Sequence, residues 1–228
     1  MSVRKALFAP GYVCTPEIWS GLAEGLLPEV DPILVAWPDG TDTVEQAADY
    51  LQRQIEQTKP EVLVGHSMGG ALMLDLLAKG RVSPRLTVIV DTMVTHSPPE
   101  FFRNYVWDAG GPVEARVMRM IIGERPRFPA LKDALAAWNT DTWPKAALET
   151  GAYFIYGGRG AASREEVLGH LAWPPELLTA HEARVSVVLG AAHFVMLEKP
   201  AEFYTTLGGI LAGHPVVPEA LRRADHTG

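Results

Sequence analysis

Apolar positions along the chain fall into short blocks, separated by stretches in which they return every three or four residues. The blocks at residues 3–9, 32–36, 61–65, 86–91, 152–156 and 184–189 are rich in Val, Ile, Leu and Ala and lack polar alternation. That is the signature of strands buried on both faces. Between them, TVEQAADYLQRQIEQ puts Val44, Ala47, Ala48, Leu51 and Ile55 on one helical stripe. GGALMLDLLAKG predicts a second helix closed by Gly80, and PAEFYTTLGGILAG a third opened by Pro200. Strand and helix alternate, so right-handed crossovers and an α/β fold follow, with a doubly wound, mostly parallel sheet of about six strands.

One interval breaks the rhythm. Residues 97–149 contain no strand pattern, only helical pieces rich in Trp, Met and Pro, among them Trp107, Met118, Met120, Trp138 and Trp143. Two readings are compatible: a helical insertion with a core of its own, or a lid whose inner face walls an apolar pocket. The expected organisation is a core of residues 1–96 and 150–213, a helical lid insertion over 97–149, and a polar tail over 214–228.

Charge narrows the partners. The formal net charge is −7 and no run of Lys or Arg occurs, which argues against nucleic acid or an anionic membrane and leaves a small, largely apolar molecule as the expected partner. The lone Cys14 has no partner for an internal disulfide. MSVRKALFAPGYV lacks the apolar segment and cleavage site of a signal peptide, and no apolar run reaches the ~18 residues of a membrane span. The expectation is a cytoplasmic, reduced, soluble protein, monomeric or homodimeric.

The most informative stretch is EVLVGHSMGGALMLDLL. Gly65-His66-Ser67-Met68-Gly69 is a G-x-S-x-G pattern with a buried strand before it and an apolar helix after it, the context that gives the pattern meaning. The serine of such a pattern sits on a tight, strained turn where only small residues fit two places before and after it. The turn exposes the Ser67 hydroxyl at the carboxyl end of the sheet, with the positive end of the next helix pointing at it.

On these residues the chain resembles the α/β-hydrolase fold superfamily from Val3 to about Leu211. The resemblance implies a serine nucleophile, an acid and a histidine base in that chain order, with an oxyanion hole and no metal or organic cofactor. It assigns Ser67 as nucleophile and His193 as base, the latter in GAAHFVMLEKPAEF, which is similar to the family's final histidine loop. His66 is adjacent to the serine at a sharp elbow and points elsewhere; His96, His170 and His181 lack a matching context, and His214 and His226 lie in the tail. The oxyanion donors implied are the backbone N–H groups of Met68 and Tyr12. The loop carrying Tyr12 reads Ala9-Pro10-Gly11-Tyr12, with Pro10 where the family usually has His. Gly11, Trp19, Trp107, Trp138 and Trp143 are the expected pocket residues.

The acid departs from the family pattern. The strand AYFIY is followed by Gly157-Gly158-Arg159-Gly160, where an aspartate is expected. Three explanations stand side by side. Asp91, at the end of the preceding strand in RLTVIVDTMVT, can serve, as in some family members. Glu165 or Glu166 can substitute locally, although helix starts favour carboxylates in any case. Or Ser67 and His193 act as a dyad. The reading is a serine hydrolase cleaving a small apolar ester, thioester or lactone through an acyl-enzyme. The alternatives are lyase, cyclase or cofactor-free oxygenase chemistry on the same fold, or a vestigial ligand receptor.

Overall fold

A computed structural model describes residues 4–94, 106–139, 142–171 and 173–213. Six strands, β1 (Arg4–Ala9), β2 (Val30–Leu34), β3 (Val62–His66), β4 (Leu86–Val90), β5 (Tyr153–Gly157) and β6 (Val185–Val188), form one all-parallel sheet in the order β2-β1-β3-β4-β5-β6. Each lies within two residues of a block read from the sequence.

Alternate residues of β1 and of β3 to β6 feed two separate cores. Leu7, Ala9, Leu63, Ile89, Phe154, Tyr156, Val185 and Val187 face one layer, and Ala6, Phe8, Val62, Val64, Val88, Val90, Ile155 and Val188 face the other. Both faces are covered along β1 and β3 to β6, which is why those strands read as apolar runs; β2, at the sheet edge, leaves Asp31, Pro32 and Leu34 exposed, so the expected burial on both faces does not hold there.

The first layer carries α2 (Val44–Thr58), α3 (Met68–Ala78), α5 (Leu131–Ala136), α6 (Trp143–Thr150), α7 (Arg164–His170) and α8 (Pro175–His181). The second carries α9 (Val195–Glu198) and α10 (Pro200–Leu211), together with Ile18 and Trp19 of the turn before α1 (Ser20–Ala23) and Val117 of α4 (Pro112–Glu124). Helix α2 begins with a reciprocal capping box: the Gln46 N–H donates to Thr43 Oγ1 and the Thr43 N–H to Gln46 Oε1, both 3.1 Å. Its stripe of Val44, Ala47, Ala48 and Leu51 is buried, as the spacing predicts. Gly80, at φ +62°, follows α3 in the expected left-handed position.

Strand order reverses between β1 and β3, so the crevice outside their carboxyl ends is the switch point where open α/β sheets hold ligands. Among the described residues of the 97–149 interval there is no strand; α4, α5 and α6 occupy it. Residues 97–105 and the tail lie outside the described residues. The insertion is anchored over the loops that follow β1 and β2. Thr15 N–H meets Met120 Sδ (3.4 Å), Arg116 Nη2 donates to Glu17 O (2.8 Å), and Arg127 reaches Asp39 (2.5 Å) and Trp37 O (3.0 Å). Its last helix differs from the rest: α6 buries Ala146 and Ala147 and packs on α3 and α8, completing the first layer. The sequence boundary at 149 therefore cuts through a helix that belongs to the core.

Candidate active site

Ser67 stands between β3 and α3 with φ +52° and ψ −118°, a conformation an L-residue adopts only under constraint. The constraint is visible. Its N–H donates to Val90 O (3.0 Å), and its carbonyl accepts from Thr92 Oγ1 (3.1 Å) and from the Ala71 N–H (2.9 Å). The flanking glycines are required by contact: a Cβ on Gly69 would sit 2.4 Å from Ala9 O, and one on Gly65 2.6 Å from the Gly70 nitrogen. The elbow is thus wedged between β4 and the loop after β1.

That loop comes close to the serine. A Cβ at Gly11 would lie 3.1 Å from Ser67 Cβ and 3.2 Å from His66 Nδ1, so Gly11 is the pocket candidate brought directly against Ser67. Met68 opens α3, where the first N–H groups have no intrahelical acceptor. The turn and loop hydrogen bonds of the described residues include no acceptor for the Tyr12 N–H. Cys14 lies beside this loop, buried, with its thiol against Tyr12 O (3.3 Å); burial pushes the thiol up to about 12 and leaves it inert.

His193 lies in the loop between β6 and α9. Its Nδ1–H donates to Asp91 Oδ2 at 2.6 Å, which leaves Nε2 as the acceptor nitrogen of the neutral ring. The loop is gripped from two directions. Glu198 Oε1 accepts the N–H groups on either side of the histidine, from Ala192 (3.0 Å) and Phe194 (3.2 Å), while His66 Nε2–H donates to His193 O (2.9 Å). The His66 ring is fully buried, 4.5 Å from the His193 ring between centroids; burial, then His193, pushes it down to about 3, so it stays neutral.

Asp91 follows β4 with φ +45° and a side chain that is 0% exposed. Burial alone would raise its carboxyl. The charge of Arg159 and the hydrogen bond to His193 overcome that and hold it at about 2. Arg159, 4% exposed, takes the carboxylate in a fork, Nη1 to Oδ1 (2.7 Å) and Nη2 to Oδ2. The Gly157 N–H adds a longer contact to Oδ1 (3.3 Å). Sequence reading singled out GGRG as a vacancy; the structure shows what occupies it. A Cβ at Gly157 would fall 2.1 Å from Ala192 O, so the histidine loop itself fills the space beside this strand end.

The other carboxylates named from sequence are engaged elsewhere. Glu166 caps α7, its side chain accepting the Ala162 N–H (2.8 Å) while its own N–H donates to Ser163 Oγ (3.2 Å); Glu165 is exposed beside Arg164. The tryptophans disperse. Trp19 is 1% exposed and packs on Phe8, His66 and Phe203, a core residue behind His66 where the sequence suggested a pocket wall. Trp138 and Trp143 form an edge-to-face pair (4.7 Å) with Trp143 buried in the first layer. Trp107 is half-exposed; its N–H donates to Glu198 Oε2 (2.5 Å), and its ring lies over Gly160. Sequence reasoning missed Arg159 and Glu198. A basic residue within the stretch where the acid was expected was the available signal for the first, and the Leu-Glu-Lys-Pro run for the second. His96 lies outside the described residues.

The model of the alpha/beta hydrolase family matches residues 6–206, nearly the whole chain. The chain belongs to this family. Two solved alpha/beta hydrolase structures resemble it in fold. A carboxylesterase from Nitrososphaera gargenis has a TM-score of 0.67 and 15% identity, over 92% of this chain and 90% of the other. Est816, an N-acyl homoserine lactone degrading enzyme, has a TM-score of 0.64 and 16% identity, over 92% of both chains. In sequence, 75 residues, 29% of this chain, are 40% identical to the nonribosomal peptide synthetase agiA of Aspergillus flavus. That stretch spans 1% of the synthetase. No helix of the described residues is long and apolar enough to cross a membrane, and none of their His, Cys, Asp and Glu side chains form a group suited to a metal ion.

Proposed function

We propose that this alpha/beta hydrolase is a serine esterase whose triad is Ser67, His193 and Asp91, with the acid supplied from the end of β4. The observation that carries the reading is the 2.6 Å contact between His193 Nδ1 and the buried Asp91 carboxylate, together with a serine held in strained elbow geometry at the end of β3. The carboxylate fixes the tautomer in which Nε2 acts as the base for the Ser67 proton. Ser67 Oγ attacks the substrate carbonyl and forms a tetrahedral oxyanion, which the Met68 and Tyr12 N–H groups stabilise. As the tetrahedral species collapses, the imidazolium returns its proton to the leaving alcohol or thiol, and an acyl-enzyme remains. Water, deprotonated by the same Nε2, then releases the acid and restores Ser67.

The substrate class is a small, largely apolar ester, thioester or lactone. The apolar walls come from the loop after β1 and from the helices that cross above it, which act as a lid. Tyr12 faces Phe128 of this insertion at 6.5 Å. The likeness in fold to a carboxylesterase and to a lactone-degrading enzyme puts aryl esters and an N-acyl homoserine lactone in the assay panel. The test is fluorophosphonate labelling read by mass spectrometry together with turnover of p-nitrophenyl acetate. Wild-type protein is expected to label at Ser67 and turn over, and Ser67→Ala to do neither. Unlabelled wild-type protein with no turnover across the panel would move the chain to the non-hydrolytic or receptor alternatives.

A further inference from the structure

Asp91 meets two side-chain partners, and the second, Arg159, has no part in the mechanism above. We propose that Arg159 is a positioning residue of the site: it aims the Asp91 carboxylate at His193 and supplies a buried positive charge that extends activity to lower pH. The inference rests on the esterase reading.

Geometry supports it at four points. The two guanidinium nitrogens bind the two carboxylate oxygens separately, so rotation of the Asp91 carboxylate away from His193 breaks both bonds. The pair is shielded from solvent, with Arg159 at 4% and Asp91 at 0% exposure, so salt and water do little to screen it. Arg159 itself is held in an uncommon backbone conformation, φ +46°, with its N–H on Ala191 O (2.9 Å), two residues before His193. The arginine is therefore tied to the histidine loop by its backbone and to the acid by its side chain. Finally, it stands within Gly157-Gly158-Arg159-Gly160, the stretch in which the family pattern carries the acid. A carboxylate there would face Asp91 with a like charge; a guanidinium neutralises it.

Among the described residues, the titratable and charged groups around the Asp91–His193 pair are Arg159 after β5, His66 of β3, Tyr156 of β5 and Glu198 of α9. Burial, opposed in part by its hydrogen bonds, raises Glu198, whereas it keeps His66 and Tyr156 neutral in the working range. Removing the Arg159 cation takes a positive charge from beside the coupled Asp91–His193 pair, so the pair takes up its inactivating proton at higher pH and the acid limb of the rate profile moves upward.

Two variants separate charge from shape. Arg159→Gln keeps amide donors and loses the charge; Arg159→Lys keeps the charge and loses the fork. The readout is kcat and KM for p-nitrophenyl acetate from about pH 5 to 9, normalised to the fraction of protein that labels with fluorophosphonate. In Arg159→Gln the acid limb of kcat/KM is expected to move up by about one pH unit, with kcat down on the order of 10²-fold and KM changed far less. Arg159→Lys is expected to keep the limb in place with a partial loss of kcat, and Glu198→Gln provides the control for that group's own titration. A limb in Arg159→Gln that overlays wild type, or one that moves equally in Arg159→Lys, overturns the proposal and leaves Arg159 an ordinary structural ion pair. Wild-type protein that neither labels nor turns over overturns the esterase reading itself, a result told apart by the labelling.

Discussion

His66 shows how a residue outside the proton-transfer chain still bears on it. Its Nε2–H holds the carbonyl of His193 while its ring stays neutral down to about pH 3. The unfolded chain takes up a proton on this side chain near pH 6.5, the folded one near 3. Between those values the unfolded state binds more protons, so stability falls as pH drops from about 6.5 toward 3. Denaturant unfolding at several pH values should show that slope, and His66→Gln should flatten it. A slope unchanged in the variant would remove His66 as its source. Asp91 gives a slope of the same sign at the acid end: its lowered pKa adds stability that is fully present above the unfolded value of 3.8 and is lost as pH falls from there through about 2. Cys14 gives a third expectation at this scale: folded protein should resist alkylation by iodoacetamide at neutral pH, and rapid modification would contradict its burial.

At the level of elements, the elbow and the strand ends decide what the site can be. Gly157 ends β5 against the Ala191–Ala192 carbonyls, which leaves no room for a side chain at this strand end. Gly157→Asp, which would put a carboxylate side chain at this strand end, should displace the histidine loop. Its stability cost should exceed the roughly 1–3 kcal/mol of ordinary overpacking, since the clash is with backbone. A thermal midpoint matching wild type, with activity intact, would contradict the packing described here. The strands, α2, α3 and α10 were legible because each carries a long period or an uninterrupted apolar run. Helix α8, seven residues opened by Pro175, carries too few turns for periodicity, and α6 reads as part of an insertion although its inner face completes a core layer. Asp91 was legible as one option among three, from its place at a strand end. Its partnership with Arg159 spans 68 positions, and no local spacing encodes such a pair.

Across the whole molecule, the insertion bridges the two helical layers above the switch point. Val117 joins the core that holds Trp19, while Phe128 and Leu131 join the one that holds Trp37. Arg127 is the main polar tether, binding Asp39, Glu124 and the Trp37 carbonyl from a partly exposed position. Arg127→Ala should therefore cost little stability, under about 1 kcal/mol per exposed pair, yet raise KM for apolar esters through a looser lid while kcat changes little. Unchanged KM along an acyl-length series would argue that the helices above the loops play no part in binding. The most direct measurement of the account is turnover by Asp91→Asn, with folding checked by its circular dichroism and thermal midpoint. A triad completed from β4 predicts a fall in kcat on the order of 10⁴-fold with Ser67 still present and the fold retained; a folded Asp91→Asn protein that hydrolyses p-nitrophenyl acetate at close to the wild-type rate would contradict it.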